Sequence, residues 1–112
     1  MIADALPPPL DADGPARLLA RAGVQACLAA LDAPGEATRL VGGCVRDALL
    51  GSIVSDIDLA TTLLPEAVME RAGAAGIKAV PTGIEHGTIT LVVRGEPHEV
   101  TTLREDVETD GR

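Results

Sequence analysis

Two aspartates one residue apart, Asp56 and Asp58, are the side chains in this sequence most in need of a chemical explanation. On an extended strand, residues two apart share a face, so their carboxylates lie close together. Two anions about 4 Å apart repel by roughly 4 kcal/mol at an effective dielectric near 20. Aspartate is also a poor strand former. A cation between the groups would offset both penalties, and hard oxygen ligands suit magnesium or manganese. Taken by itself, an Asp-x-Asp fits a solvent-facing edge-strand pair with no ligand equally well. An EF-hand loop is excluded, because no glycine or closing Glu follows at the needed offsets.

Upstream stands Leu40-Val41-Gly42-Gly43-Cys44-Val45-Arg46-Asp47. Two glycines between a strand and a helix let the backbone approach a phosphate closely, although a lone Gly-Gly more often marks an ordinary tight turn. Arg46 falls early in the helix, where a cation opposes the dipole unless an anion partners it. Asp47 or a triphosphate would serve. Read in order, residues 40–60 describe a site for a metal-bound nucleoside triphosphate. Glu99 is a third candidate carboxylate, shared with Thr101 and Leu103 on one strand face. If that strand lies beside the one carrying Asp56 and Asp58, three carboxylates converge, enough to hold two metal ions and activate a hydroxyl nucleophile. Spacing alone does not fix that adjacency. His86 and His98 have no partner at ligand spacing and are expected at the surface or a hairpin end. Met69 reads as core or helix filler. Cys44 has no neighbouring base to make it a nucleophile.

The elements that must position these residues follow from pattern. Pro15 suits the first turn of a helix, and Val24, Cys27, Leu28 and Leu31 form an apolar stripe that predicts one helix from Ala16 to Leu31. Gly23 weakens it by about 1 kcal/mol relative to Ala. Thr38–Val41 reads as a strand, Val45–Leu50 as a short helix stopped by Gly51, and Ile53–Thr61 as a strand. A helix opens at Leu64-Pro65-Glu66 and closes on Gly73 and Gly76. Ile77–Val80 is a third strand. Thr88–Arg94 and His98–Arg104 form a hairpin around Gly95-Glu96-Pro97.

At 112 residues the chain fits one domain, and with no Phe, Trp or Tyr its core must be aliphatic. Each such side chain contributes about 1.5–3 kcal/mol on full burial, so a core of this size is only marginally stable and suggests a piece of a longer protein. The net charge of −8 opposes nucleic-acid binding by this segment alone, though metal-bridged phosphates remain accessible to it. Cys27 and Cys44 suggest neither a metal cage nor a disulfide framework. No signal peptide or membrane-spanning run is evident, which points to a soluble, cytoplasmic protein. Residues 1–13 read as a mobile, proline-rich lead-in, and the end, Glu105 to Arg112, as an acidic loop cut short.

The order L-V-G-G-C-V-R-D-A-L-L-G followed by S-D-I-D-L-A-T resembles the head domain of tRNA nucleotidyltransferases and bacterial poly(A) polymerases, within the DNA polymerase β-like nucleotidyltransferase superfamily. The resemblance continues through P-T-G-I-E-H-G-T-I-T-L and H-E-V-T-T-L-R-E-D-V-E-T-D-G-R. It implies an α/β nucleotidyltransferase fold, a small mixed sheet with helices mainly on one face, spanning 14–112 and incomplete at its C-terminus. It further implies CCA addition: transfer of nucleotides from CTP or ATP to the tRNA 3′ end by a two-metal mechanism using Mg²⁺ or Mn²⁺. Asp56, Asp58 and Glu99 then match the catalytic metal ligands, and Gly42, Gly43 and Arg46 the triphosphate-binding positions. Asp47 matches a group orienting Arg46 or the turn. In this family a further strand and helix with an Arg-Arg-Asp motif, a base-selecting neck and a tRNA-binding body follow. None is present here, so the fragment is expected to be weak or inactive alone. A poly(A) polymerase head, and a non-catalytic nucleotide-binding or regulatory module, are the alternatives. Three intact acids weigh against the module.

Overall fold

The structure, a computed structural model, describes residues 10–103. Residues 1–9 of the expected lead-in, and the expected acidic loop after Arg104, lie outside the described residues.

The elements in order are α1 (Gly14–Leu19), α2 (Ala22–Ala30), β1 (Thr38–Leu40), α3 (Gly43–Leu49), β2 (Ile57–Thr61), α4 (Pro65–Ala74), β3 (Lys78–Gly83), a 3-10 turn at Ile84–His86, β4 (Thr88–Val93) and β5 (Glu96–Thr102). The five strands form one sheet in the order β1-β2-β5-β4-β3. β2 and β5 run parallel, and the other neighbours are antiparallel. The expected small mixed sheet is present.

Alternation along the strands divides the two faces. Ile57, Leu59 and Thr61 of β2, Ile89 and Leu91 of β4, and His98, Val100 and Thr102 of β5 are buried. Val24 and Cys27 of α2 and Val68 and Ala72 of α4 belong to the same core. On the opposite face, Asp58, Glu99 and Thr90 are half-buried or exposed. A polar face thus stays open while the aliphatic one is covered.

Three elements depart from the sequence pattern. The single helix expected from Ala16 to Leu31 is two, because Arg21 is extended at φ −60 and ψ 139. Its two halves serve different partners. A Cβ at Gly14 would stand 1.9 Å from the Ala48 carbonyl oxygen, so α1 crosses α3 backbone to backbone, whereas α2 crosses the sheet at Gly23 over His98. One straight helix cannot make both crossings. The strand expected from Ile53 begins only at Ile57, where pairing with β5 starts at His98. Residues 53–56 have no ladder partner among the described residues, and Ile53 is 91% exposed. The hairpin turn is Arg94-Gly95, both at positive φ (53° and 79°), with Val93 paired to Glu96. A two-residue turn of this hand matches strand twist better than the three-residue loop expected. Pro97 then sits in β5, one position beyond the start of β2, where its missing N–H removes no bond to that strand.

Candidate active site

β2 brings the first acids. Ile57 and Leu59 point into the core, so Asp58 between them must face the open side. β5 does the same for Glu99, which alternates with buried His98 and Val100. The parallel register pairs Asp58 with Glu99 directly. Adjacent strands are about 4.8 Å apart, so the adjacency that spacing left open is met. Asp56 lies just before β2 in irregular backbone instead of on the strand, which corrects the expected shared strand face. It nevertheless lines the same cleft as Asp58 and Glu99, with Ser55, Ile57 and Pro97 completing the walls.

The cleft holds no cationic side chain among its described walls. None of the three carboxylates is hydrogen-bonded or ion-paired to another described residue, in contrast to Asp11 with Arg17 and Asp47 with Arg46. Three hard anionic donors without partners, gathered in one cleft, fit a divalent cation in their chemistry. As the side chains stand, no three His, Cys, Asp or Glu among the described residues converge tightly enough to hold a metal ion.

The Gly42-Gly43 turn abuts this cleft. Gly42 has φ 77 and ψ −150, a conformation essentially restricted to glycine, and a Cβ there would lie 3.8 Å from Asp58 Oδ2. The turn is tied to β2 by the Val41 amide donating to the Asp58 carbonyl at 2.9 Å. The Cys44 thiol donates to the Val41 carbonyl at 3.1 Å, so Cys44 is a buried clamp under the turn. Its role as a fastener had no signal in the sequence. Arg46 folds back over the turn, its Nη2 3.1 Å from where a Gly43 Cβ would be. Asp47 Oδ1 lies 3.4 Å from both Nε and Nη2 of the same guanidinium, which is exposed. Arg46 is thus held loosely, beside the glycines, with room to meet a second anion.

α3 ends at Gly51, whose φ of 73 lets its amide reach the Ala48 carbonyl at 3.2 Å and the Ser52 amide reach Asp47 at 2.8 Å. That stop turns the chain back toward Asp56.

His98 corrects its expectation. It is fully buried on the helix-covered face, with Nδ1 3.0 Å from the Glu96 carbonyl and 3.3 Å from that of Leu91. Its Nε2 has no hydrogen-bond partner among the described residues. His86 is exposed and 3.8 Å from Glu85, and Met69 packs against the core, both as expected.

Residues 38–112 match the family model described as the poly A polymerase head domain. This chain belongs to that family. The head-domain match begins at β1, so α1 and α2 precede it. A CCA-adding enzyme of Bacillus mycoides (strain KBAB4) is 47% identical over 74 residues, covering 66% of this chain and 18% of the relative. Among solved structures, the Bacillus stearothermophilus CCA-adding enzyme in complex with CTP is 42% identical with a TM-score of 0.58, over 68% of this chain and 18% of that one. A tRNA nucleotidyltransferase complexed with a primer tRNA and an incoming ATP analog is 35% identical with a TM-score of 0.51, over 69% of this chain and 22% of that one. The head-domain chain thus spans about a fifth of the length of these relatives. Among the described residues, no helix is long and apolar enough to cross a membrane.

Proposed function

We propose that this chain is the nucleotide- and metal-holding part of a nucleotidyltransferase that transfers nucleotides from CTP and ATP to the 3′ end of tRNA, the CCA addition. The observation that carries the reading is the register pairing of Asp58 with Glu99, with Asp56 in the same cleft and Gly42 against Asp58. The relatives named CCA-adding enzyme, and the CTP complex among the similar structures, support it. In this reading the head domain covers 14–112, and a cytoplasmic setting suits the free thiols of Cys27 and Cys44.

Asp56, Asp58 and Glu99 would hold Mg²⁺ or Mn²⁺. Bound there, divalent cations supply the positive charge that neutralises the triphosphate and offsets charge developing as the phosphoryl bond breaks. Gly42 and Gly43 would let the backbone come close to the phosphates; a Cβ at Gly42 would stand 3.8 Å from Asp58 Oδ2 and one at Gly43 3.1 Å from Arg46 Nη2. Arg46, balanced by Asp47, would take part of the triphosphate charge. The tRNA 3′-hydroxyl then attacks the α-phosphorus in line, and the bond to the pyrophosphate leaving group breaks. Selection of C or A and the grip on tRNA are assigned to regions of such an enzyme outside these residues, so the isolated chain is expected to bind triphosphates without choosing among them and to turn over weakly. The family's own description keeps a poly(A) polymerase head as the second reading, with the same site chemistry.

Calorimetric titration with CTP, ATP, GTP and UTP in Mg²⁺, beside an Asp58→Asn variant, tests this. Weak and similar binding of all four, abolished in the variant, is the expected result. A folded wild-type chain that binds none of them would sink the proposal.

A further inference from the structure

The Asp58–Glu99 row continues across the open face of the sheet. The antiparallel register of β4 and β5 pairs Glu99 with Thr90, and β4 pairs Thr90 with Val80 of β3. Ile89 and Leu91 are buried, so Thr90 between them projects to the same side as Glu99. The closing Val93–Glu96 pair sets the ladder's phase. Counting from that hydrogen-bonded pair, Thr90 and Glu99 fall in a non-hydrogen-bonded pair, the kind in which side chains come closer. Directly opposite residues have Cβ atoms about 4.5–5.5 Å apart, within reach of a hydroxyl-to-carboxylate hydrogen bond.

Thr90 is itself held. Its Oγ1 lies 2.8 Å from the Oγ1 of Thr82, two residues beyond its pair partner Val80 on β3. A threonine hydroxyl has one proton to give. If Thr82 donates to Thr90, the proton of Thr90 is left for another acceptor. Glu99, its register partner, is an anion able to accept that proton, although the two are not hydrogen-bonded as the side chains stand.

We propose that Thr90, oriented by Thr82, is a positioning residue that donates to the Glu99 carboxylate when a divalent cation shared with Asp58 draws that carboxylate into the cleft, a bond the two side chains do not make as they stand. The inference rests on the metal-site reading given under Proposed function. Glu99 is exposed and has several rotatable bonds, so without such a hold its carboxylate would sample many orientations.

The test is Mn²⁺ binding to the full 112-residue chain, read from the resonance signal of free Mn²⁺, with thermal midpoints taken in metal-free buffer. Thr90→Val keeps the side-chain shape and strand preference while removing the hydroxyl. It should weaken Mn²⁺ binding about tenfold, in the range typical for partners of metal ligands. Thr90→Ser should restore it, and Thr82→Val should give a smaller loss. Wild-type affinity in Thr90→Val would overturn the proposal, as would a loss that Thr90→Ser does not repair. With Asp58→Asn as reference, the two readings separate. Binding by wild type and Thr90→Val alike, lost in Asp58→Asn, removes only the role of Thr90. No binding by wild type removes the metal site and this inference with it.

Discussion

Gly23 of α2 lies directly against the His98 ring: a Cβ at residue 23 would stand 2.6 Å from Nε2 and 2.7 Å from Cε1. The histidine is fully buried and held by backbone carbonyls through Nδ1, so it cannot swing aside. Gly23→Ala would ordinarily favour a helix by about 1 kcal/mol, but overpacking of a core costs about 1–3 kcal/mol. The expected net effect is a loss of up to about 2 kcal/mol, measured by urea unfolding. In a His98→Ala background the same substitution should turn neutral or stabilising, and a double-mutant cycle reads that coupling.

Gly42 and Gly43 should not be equivalent. Alanine at Gly42 must adopt φ 77 with ψ −150, and its Cβ would approach Asp58. Such a conformation costs about 1–3 kcal/mol for a residue with a side chain. At Gly43 the nearest obstacle is the end of the Arg46 side chain, which is exposed and free to shift. Gly42→Ala should lower the thermal midpoint and abolish triphosphate binding. Gly43→Ala should leave the fold stable to within about 1 kcal/mol and weaken binding only in part. Equal destabilisation by the two would contradict this geometry.

Unpartnered acids in one cleft should strain the protein when no cation is present. Asp58→Asn removes one charge from the Asp58–Glu99 pair. Like charges directly opposite on neighbouring strands destabilise by about 0.2–1 kcal/mol. The variant should therefore be more stable than wild type by about that amount in metal-free buffer at low salt. Added Mg²⁺ should raise the wild-type midpoint and leave that of the variant unmoved. A variant less stable than wild type without metal would show that the carboxylate contributes to folding.

Cys27 offers a prediction in pH. Burial pushes its thiol up from 9.0 to about 11. Below the ordinary value the thiol is neutral in both folded and unfolded chains and has no effect on the balance. Between about 9 and about 11 the unfolded chain ionises while the folded one does not, so the folded state loses stability as pH rises. Urea midpoints measured at intervals through this window should fall, and Cys27→Ala should flatten that dependence. Undiminished steepness in Cys27→Ala would assign the effect to other groups.

Part of this was legible in the chain before any coordinates. Asp56, Asp58 and Glu99 stood out because anions in strand-like sequence oppose both electrostatics and propensity. Ile57, Leu59, Ile89 and Leu91 were readable as core by alternation. The Asp58–Glu99 contact was not, because a parallel pairing between distant segments is a property of the assembled sheet. The same holds for the break at Arg21. Apolar periodicity registers that residues 16–31 favour a helix, but not that Gly14 must meet Ala48 while Gly23 meets His98. Ile53 and Val54 have the composition of a strand and lack only a neighbour to pair with among the described residues. A turn at Gly95-Glu96-Pro97 would leave His98 at the hairpin end, whereas the turn at Arg94-Gly95 carries it into the core.

The position of β5 also bears on how the protein comes into being. It is the last strand among the described residues, yet it sits in the middle of the sheet, joining β1-β2 on one side to β4-β3 on the other. A chain growing from a ribosome therefore holds two half-sheets, each with a bare edge, until β5 emerges. Pairing so distant in sequence is slow, because loop closure must precede the contacts that reward it. In that interval β2 and β4 are open to pairing with other chains. The step that closes the gap is also the one that sets Glu99 beside Asp58, so the acidic cleft forms only when the sheet itself is completed.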